Sequence, residues 1–109
     1  MTIDEKLKTV LSAILPDAEP NRFDGEAVEY ITWQYTMLPV VFAESKPHAA
    51  RYLVSVHLFL PSGKNPNAKK LSICRDLNDA GFTYPSITNA SDKFSQHYVF
   101  ECEYADGGV

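Results

Sequence analysis

Three histidines (His48, His57 and His97) and two cysteines (Cys74 and Cys102) are the side chains of this chain best suited to hold a metal or attack a substrate. A protein zinc site is usually announced by closely spaced ligands, as in CxxC or HExxH. Neither spacing occurs. His97 and Cys102 are five positions apart, so on one strand they point to opposite faces and cannot share an ion. A nucleophilic cysteine needs an electropositive, accessible setting. Cys74 has Lys70 and Arg75 nearby but falls on the apolar side of a helical pattern. Cys102 stands between Glu101 and Glu103, whose charges raise a thiol pKa rather than lower it. Both are expected as buried free thiols, and no catalytic residue, cofactor or metal ligand is assigned.

Glu101 and Glu103 share one face of a strand pattern, as a general acid and base could. Such a pair is more often the solvent face of a strand, or edge charges that deter unwanted pairing, and the two are read that way. Trp33, Tyr35, Tyr98, Phe100 and Tyr104 could stack on bases, but acids rather than bases lie between them, against nucleic-acid binding. There is no GxSxG elbow, and the five glycines form no phosphate-binding loop.

The elements that must position these residues follow from composition and periodicity. A chain of 109 residues, 45% hydrophobic and 22% charged, has the size and balance of one globular domain. Net charge is −4, which excludes a general nucleic-acid binder, and no apolar run approaches the roughly 20 residues that cross a bilayer. The start, MTIDEKLKTVLSAIL, is acidic early and lacks a small-residue cleavage site, unlike a signal peptide. Thr2 and Glu5 form a capping box, and Ile3, Leu7, Val10, Leu11 and Ile14 then share a helical face until Pro16. VEYITWQY alternates, with Ile31, Trp33 and Tyr35 on one side. LPVVFAES reads as a second strand, on an edge or beginning after Pro39. SKPHAA reads as a connection. RYLVSVHLFL is a third strand, with Tyr52, Val54, Val56, Leu58 and Leu60 on its core face.

NAKKLSICRDLNDAG predicts a helix opened by Asn65 and Pro66, with Ala68, Leu71, Cys74, Leu77 and Ala80 apolar and Gly81 at the stop. FTYPSITN is a short strand interrupted by Pro85. The last strand sets Phe94, Gln96, Tyr98, Phe100, Cys102 and Tyr104 against His97, Val99, Glu101 and Glu103. The expectation is a single α+β domain over 1–109. Its sheet is antiparallel (or mixed), of about four to five strands with two helices, in the order α-β-β-β-α-β-β.

Charge is uneven. Asp17, Glu19, Asp24, Glu26 and Glu29 stand against one base, Arg22, between 17 and 29. Lys64, Lys69, Lys70 and Arg75 stand with no acid between 61 and 75. Two solvated faces account for this; so does a pair of complementary patches through which subunits meet head to tail.

Taken together, the N-terminal helix, YITWQY, RYLVSVHLFLP, NAKKLSICRDLNDAGF and HYVFECEY resemble the small tail-completion proteins of long-tailed bacteriophages, also called tail terminator or tail-to-head joining proteins. In that family an aromatic strand of the type P-Y-I-T-Y-Q follows the first helix; here Glu29 stands where its proline would be. The resemblance implies a homo-oligomeric ring, usually a hexamer, that ends tail-tube growth and joins the tube to the head connector. It implies a virion protein assembled in the bacterial host cytoplasm, with no membrane or specific nucleic-acid partner and no catalytic residues. Two other classes stay open: a cytoplasmic α+β binding or adaptor domain, and a small enzyme using a Cys or His/Glu site.

Overall fold

The computed structural model describes residues 2–21, 28–43 and 46–106, with backbone only over 39–43, 46–49 and at 106. The fold is α+β. Helix α1 (Ile3–Ser12) precedes strands β1 (Ala18–Pro20), β2 (Tyr30–Ala43) and β3 (Lys46–Pro61); α2 (Asn67–Asp79), β4 (Ser86–Asn89) and β5 (Ser95–Asp106) follow. The five strands form one sheet in the spatial order β1-β2-β3-β5-β4. It is mixed because β1 runs parallel to β2, while β2–β3, β3–β5 and β4–β5 are antiparallel.

Local chemistry accounts for the helices. The Thr2 hydroxyl accepts from the Glu5 N–H at 3.1 Å, and the Glu5 carboxylate reaches back to the Thr2 N–H. This is the reciprocal cap read from the sequence. At the end of α2, Gly81 takes φ +100°, a conformation that favours glycine. The Phe82 N–H then donates to the Leu77 carbonyl, the bond that closes a left-handed helix end and turns Phe82 into the core.

Alternation builds the core. Ile31, Leu58 and Tyr98 lie abreast on β2, β3 and β5, as do Trp33, Val56 and Phe100. All six are buried on the face that meets Leu7 and Leu11 of α1 and Ile73, Cys74 and Leu77 of α2. The face of α2 differs from its sequence reading. Leu71 is 56% exposed and Ala68 is exposed, while Ile73 takes the core position. Ile73, Cys74, Leu77 and Ala80 also keep helical spacing, and contact with the sheet selects that stripe.

Three strand assignments change. The two strands expected on either side of Pro39 are one strand, β2. A proline is tolerated there because, among the described residues, β1 pairs with β2 at Ile31–Trp33 and no further, leaving Pro39 on an edge. The register with β3 also shifts between Pro39 and Val41. SKPHAA is not a connection; from Lys46 onward it is the start of β3. The third strand of the order is instead β1, whose Ala-Glu-Pro sequence carries no β signature. Strands of 14 and 16 residues in so short a chain give a long molecule, 54 × 25 × 23 Å. Its radius of gyration is 15.0 Å. A compact domain of this size has about 13 Å.

Candidate functional site

The charged residues expected to meet between subunits are placed as follows. Glu29 Oε2 accepts from Lys64 Nζ at 2.6 Å, and Oε1 lies 3.9 Å from Lys69 Nζ. The Lys64 hydrogen bond holds the Glu29 carboxyl below the usual carboxylate range. Lys70 lies over the Tyr98 ring, 4.5 Å from its centroid. Arg75 is exposed, with Nε 3.9 Å from Asp76. Asp17 is exposed and Glu19 half-buried, whereas Asp24 and Glu26 lie outside the described residues. The structure therefore brings the end of the acidic run onto the basic run inside one chain, through Glu29, Lys64 and Lys69.

Among the described residues, no helix covers the second face of the sheet. Tyr30, Phe59, His97 and His57 form a stack across β2, β3 and β5, with centroid separations of 4.6, 4.2 and 5.1 Å in that order. His57 Nδ1 and His97 Nε2 are 2.8 Å apart, within hydrogen-bond distance. Burial lowers both imidazole pKa values; the charge of His97 lowers that of His57 further, while Glu101 opposes it and Asp92 opposes the shift at His97. The sequence placed both histidines on non-core strand faces, but only the β3–β5 pairing, which joins Phe59 with His97, brings them together. His48 falls in the backbone-only part of β3.

Cys74 and Cys102 are buried free thiols. Burial pushes both up, Cys102 to about 12. Glu101 and Glu103 line an open trough of about 540 Å³ on the uncovered face with Gln34, Thr36, Leu53 and Ser55. Among the described residues no group of three or more His, Cys, Asp or Glu side chains is placed to hold a metal, and no helix is long and apolar enough to cross a membrane.

Asp4, which the sequence reading passed over, ties α1 to β2. Its Oδ1 accepts from Trp33 Nε1 at 3.0 Å and its Oδ2 from the Tyr35 hydroxyl at 2.8 Å. Nothing local signals such a bond between residues so far apart in the chain.

The remaining feature is the outer edge of β2. Beyond Trp33 it has no neighbouring strand among the described residues, because β1 stops at Pro20. Its uncovered stretch, Gln34-Tyr35-Thr36-Met37-Leu38, carries no charge. Tyr35 and Met37 are 36% and 53% exposed.

No protein-family model matches the chain, and no curated protein does. A solved structure whose name describes no activity is similar to it at 10% identity with a TM-score of 0.65, over 97% of this chain and 90% of that one. At that identity the likeness shows the fold, and the fold alone.

Proposed function

We propose that the chain is a structural subunit that assembles with copies of itself into a ring at the head–tail joint of a long-tailed phage. There, like the tail-completion proteins its sequence resembles, it ends tail-tube growth and joins the tube to the head connector. The ring is a hexamer in this reading, its partners are the connector and tube proteins, and it belongs to the virion after assembly in the host cytoplasm. The observation that carries the reading is the β2–β3 hairpin, which outruns the rest of the sheet and, among the described residues, leaves an uncharged strand edge without a partner. Open edges are templates for pairing with another chain, and soluble monomers usually guard them. The 54 Å length supplies the reach a subunit needs to touch neighbours on two sides.

Native mass spectrometry with negative-stain electron microscopy tests this. The expected result is a closed ring of sixfold mass; a monomer at every concentration up to millimolar would overturn it. A second reading, an adaptor that dimerises through its uncovered sheet face, is favoured by the half-buried stack of Tyr30, Phe59, His57 and His97. A twofold mass would select that reading.

A further inference from the structure

Hydrogen bonding fixes which backbone groups of β2 look outward. The Ile31 N–H donates to the Asp17 carbonyl at 2.9 Å, and the Trp33 carbonyl accepts from the Asn21 N–H at 2.7 Å. Odd-numbered residues of β2 thus turn their backbone away from β3. The strand alternates, so the N–H and C=O groups of Tyr35 and Met37 face the same way. Neither residue has a backbone partner on that side among the described residues.

The other end of the sheet is β4. The Ala90 N–H donates to the His97 carbonyl at 2.8 Å, so Ala90 and, by alternation, Thr88 and Ser86 bond toward β5. Ile87 and Asn89 then present their backbone groups outward. Ile87 lies opposite Phe100, so its side chain is on the helix-covered side, and it is 42% exposed. Tyr35 and Met37, in phase with Ile31 and Trp33, are on that side too. The pairing directions also agree: β2 and β5 run the same way and β4 runs opposite.

We infer that β4 of one copy adds antiparallel to the edge of β2 that is unpaired among the described residues of the next, with Ile87 opposite Met37 and Asn89 opposite Tyr35. Two copies in the same orientation meet this way with their helices on the same side. Main-chain bonds set the register while Ile87, Met37 and Tyr35 bury apolar surface together. Shifting the register two residues toward Trp33 would collide with β1, which occupies that edge. The β1 edge is itself guarded: Lys8 Nζ donates to the Ala18 carbonyl, and Pro20 has no N–H. The interface is heterologous, with two different edges on each copy, as a ring requires. Within one copy Ile87 is level with Trp33 through Phe100 and Val56. Meeting Met37 therefore steps each copy about 13 Å along the strands, which inclines the strands to the ring axis as shear does in a barrel.

The pairing rests on the self-association reading, and cysteine cross-linking separates the two. Both sites are exposed, so Met37→Cys and Ile87→Cys leave the core intact. In one chain they lie at opposite edges of the sheet, three strand spacings (roughly 14 Å) across and about 13 Å along the strands, too far for a disulfide. Mild oxidation of the double variant should give a ladder of covalent multimers on a non-reducing gel. A mixture of the two single variants should give a dimer, and wild type, with Cys74 and Cys102 buried, neither. A wild type that forms rings while the double variant gives no ladder overturns the edge pairing and leaves the ring standing. A wild type that stays monomeric, with no ladder, overturns both.

Discussion

Alternate residues of β2, β3 and β5 serve two unlike environments. On one side Ile31, Trp33, Val56, Leu58 and Phe100 are sealed under two helices. On the other, Thr32, His57, Phe59 and His97 form a thinner layer of stacked rings and polar groups, with no helix above it among the described residues. The first side holds the chain together by apolar burial. The second is mostly half-buried, with Thr32 buried, and carries two imidazoles whose pKa values burial lowers. Stability and any pH response are thus divided between the two faces of the same strands.

The largest contrast between the faces comes from paired truncations on β5. Phe100→Ala empties the centre of the sealed face and should cost about 3–5 kcal/mol, as large-to-small changes of fully buried aromatics do. Val99→Ala, one residue away on the half-buried uncovered face, should cost under about 1.5 kcal/mol. Urea unfolding of both variants measures the difference. Equal losses would mean that the two faces bear comparable load.

The alternation behind that contrast was readable from the sequence, since a period of two is a property of the strand itself. So were both helices, the Thr2–Glu5 cap and the Gly81 stop. What escaped depended on partners distant in the chain. Pro39 reads as a break until it is known that β1 stops short of that part of β2. Leu71 and Ile73 are equally good core candidates until the sheet chooses between two overlapping stripes of α2. The histidine pair needs β3 beside β5, an adjacency set by the crossover through α2 rather than by any local pattern. Charge showed the acidic and basic runs, but not that Glu29 would meet Lys64 within the same chain.

A smaller effect is expected where α1 is tied to β2. Asp4→Ala removes the acceptor of Trp33 Nε1, whose residue is 1% exposed, and also that of the exposed Tyr35 hydroxyl. A buried donor left without a partner costs about 1–3 kcal/mol, and Asn, which keeps one oxygen, should restore part of it. Unfolding midpoints of the three proteins check this. A variant with Ala as stable as wild type would mean that water replaces the carboxylate at Trp33 and that the sealed face is less dry than its exposure implies.

The smallest effect separates the faces by pH. His57 and His97 both have folded-state pKa values below the ordinary 6.5, because burial disfavours their charged forms. One ring can donate to the other only while at least one is neutral, and two imidazoliums at 2.8 Å would repel. For groups with a depressed folded pKa, the stabilisation is complete above the unfolded value. It is lost as pH falls below about 6.5 toward the folded values, since the unfolded chain takes up protons first. The charges that bear on the pair, Glu101 on β5 and Asp92 in the turn before it, both favour protonation and so moderate the loss. Wild-type thermal midpoints should therefore fall modestly between pH 7 and pH 5.5. A His57→Gln/His97→Phe double variant removes both titrating rings while keeping an aromatic against Phe59, and its midpoint should fall less over the same interval. Phe100→Ala lowers the midpoint at every pH but leaves the slope as in wild type, because its face contributes no imidazole. If the histidine variant keeps the wild-type slope, the acid sensitivity lies elsewhere and the uncovered face is no more responsive to pH than the sealed one.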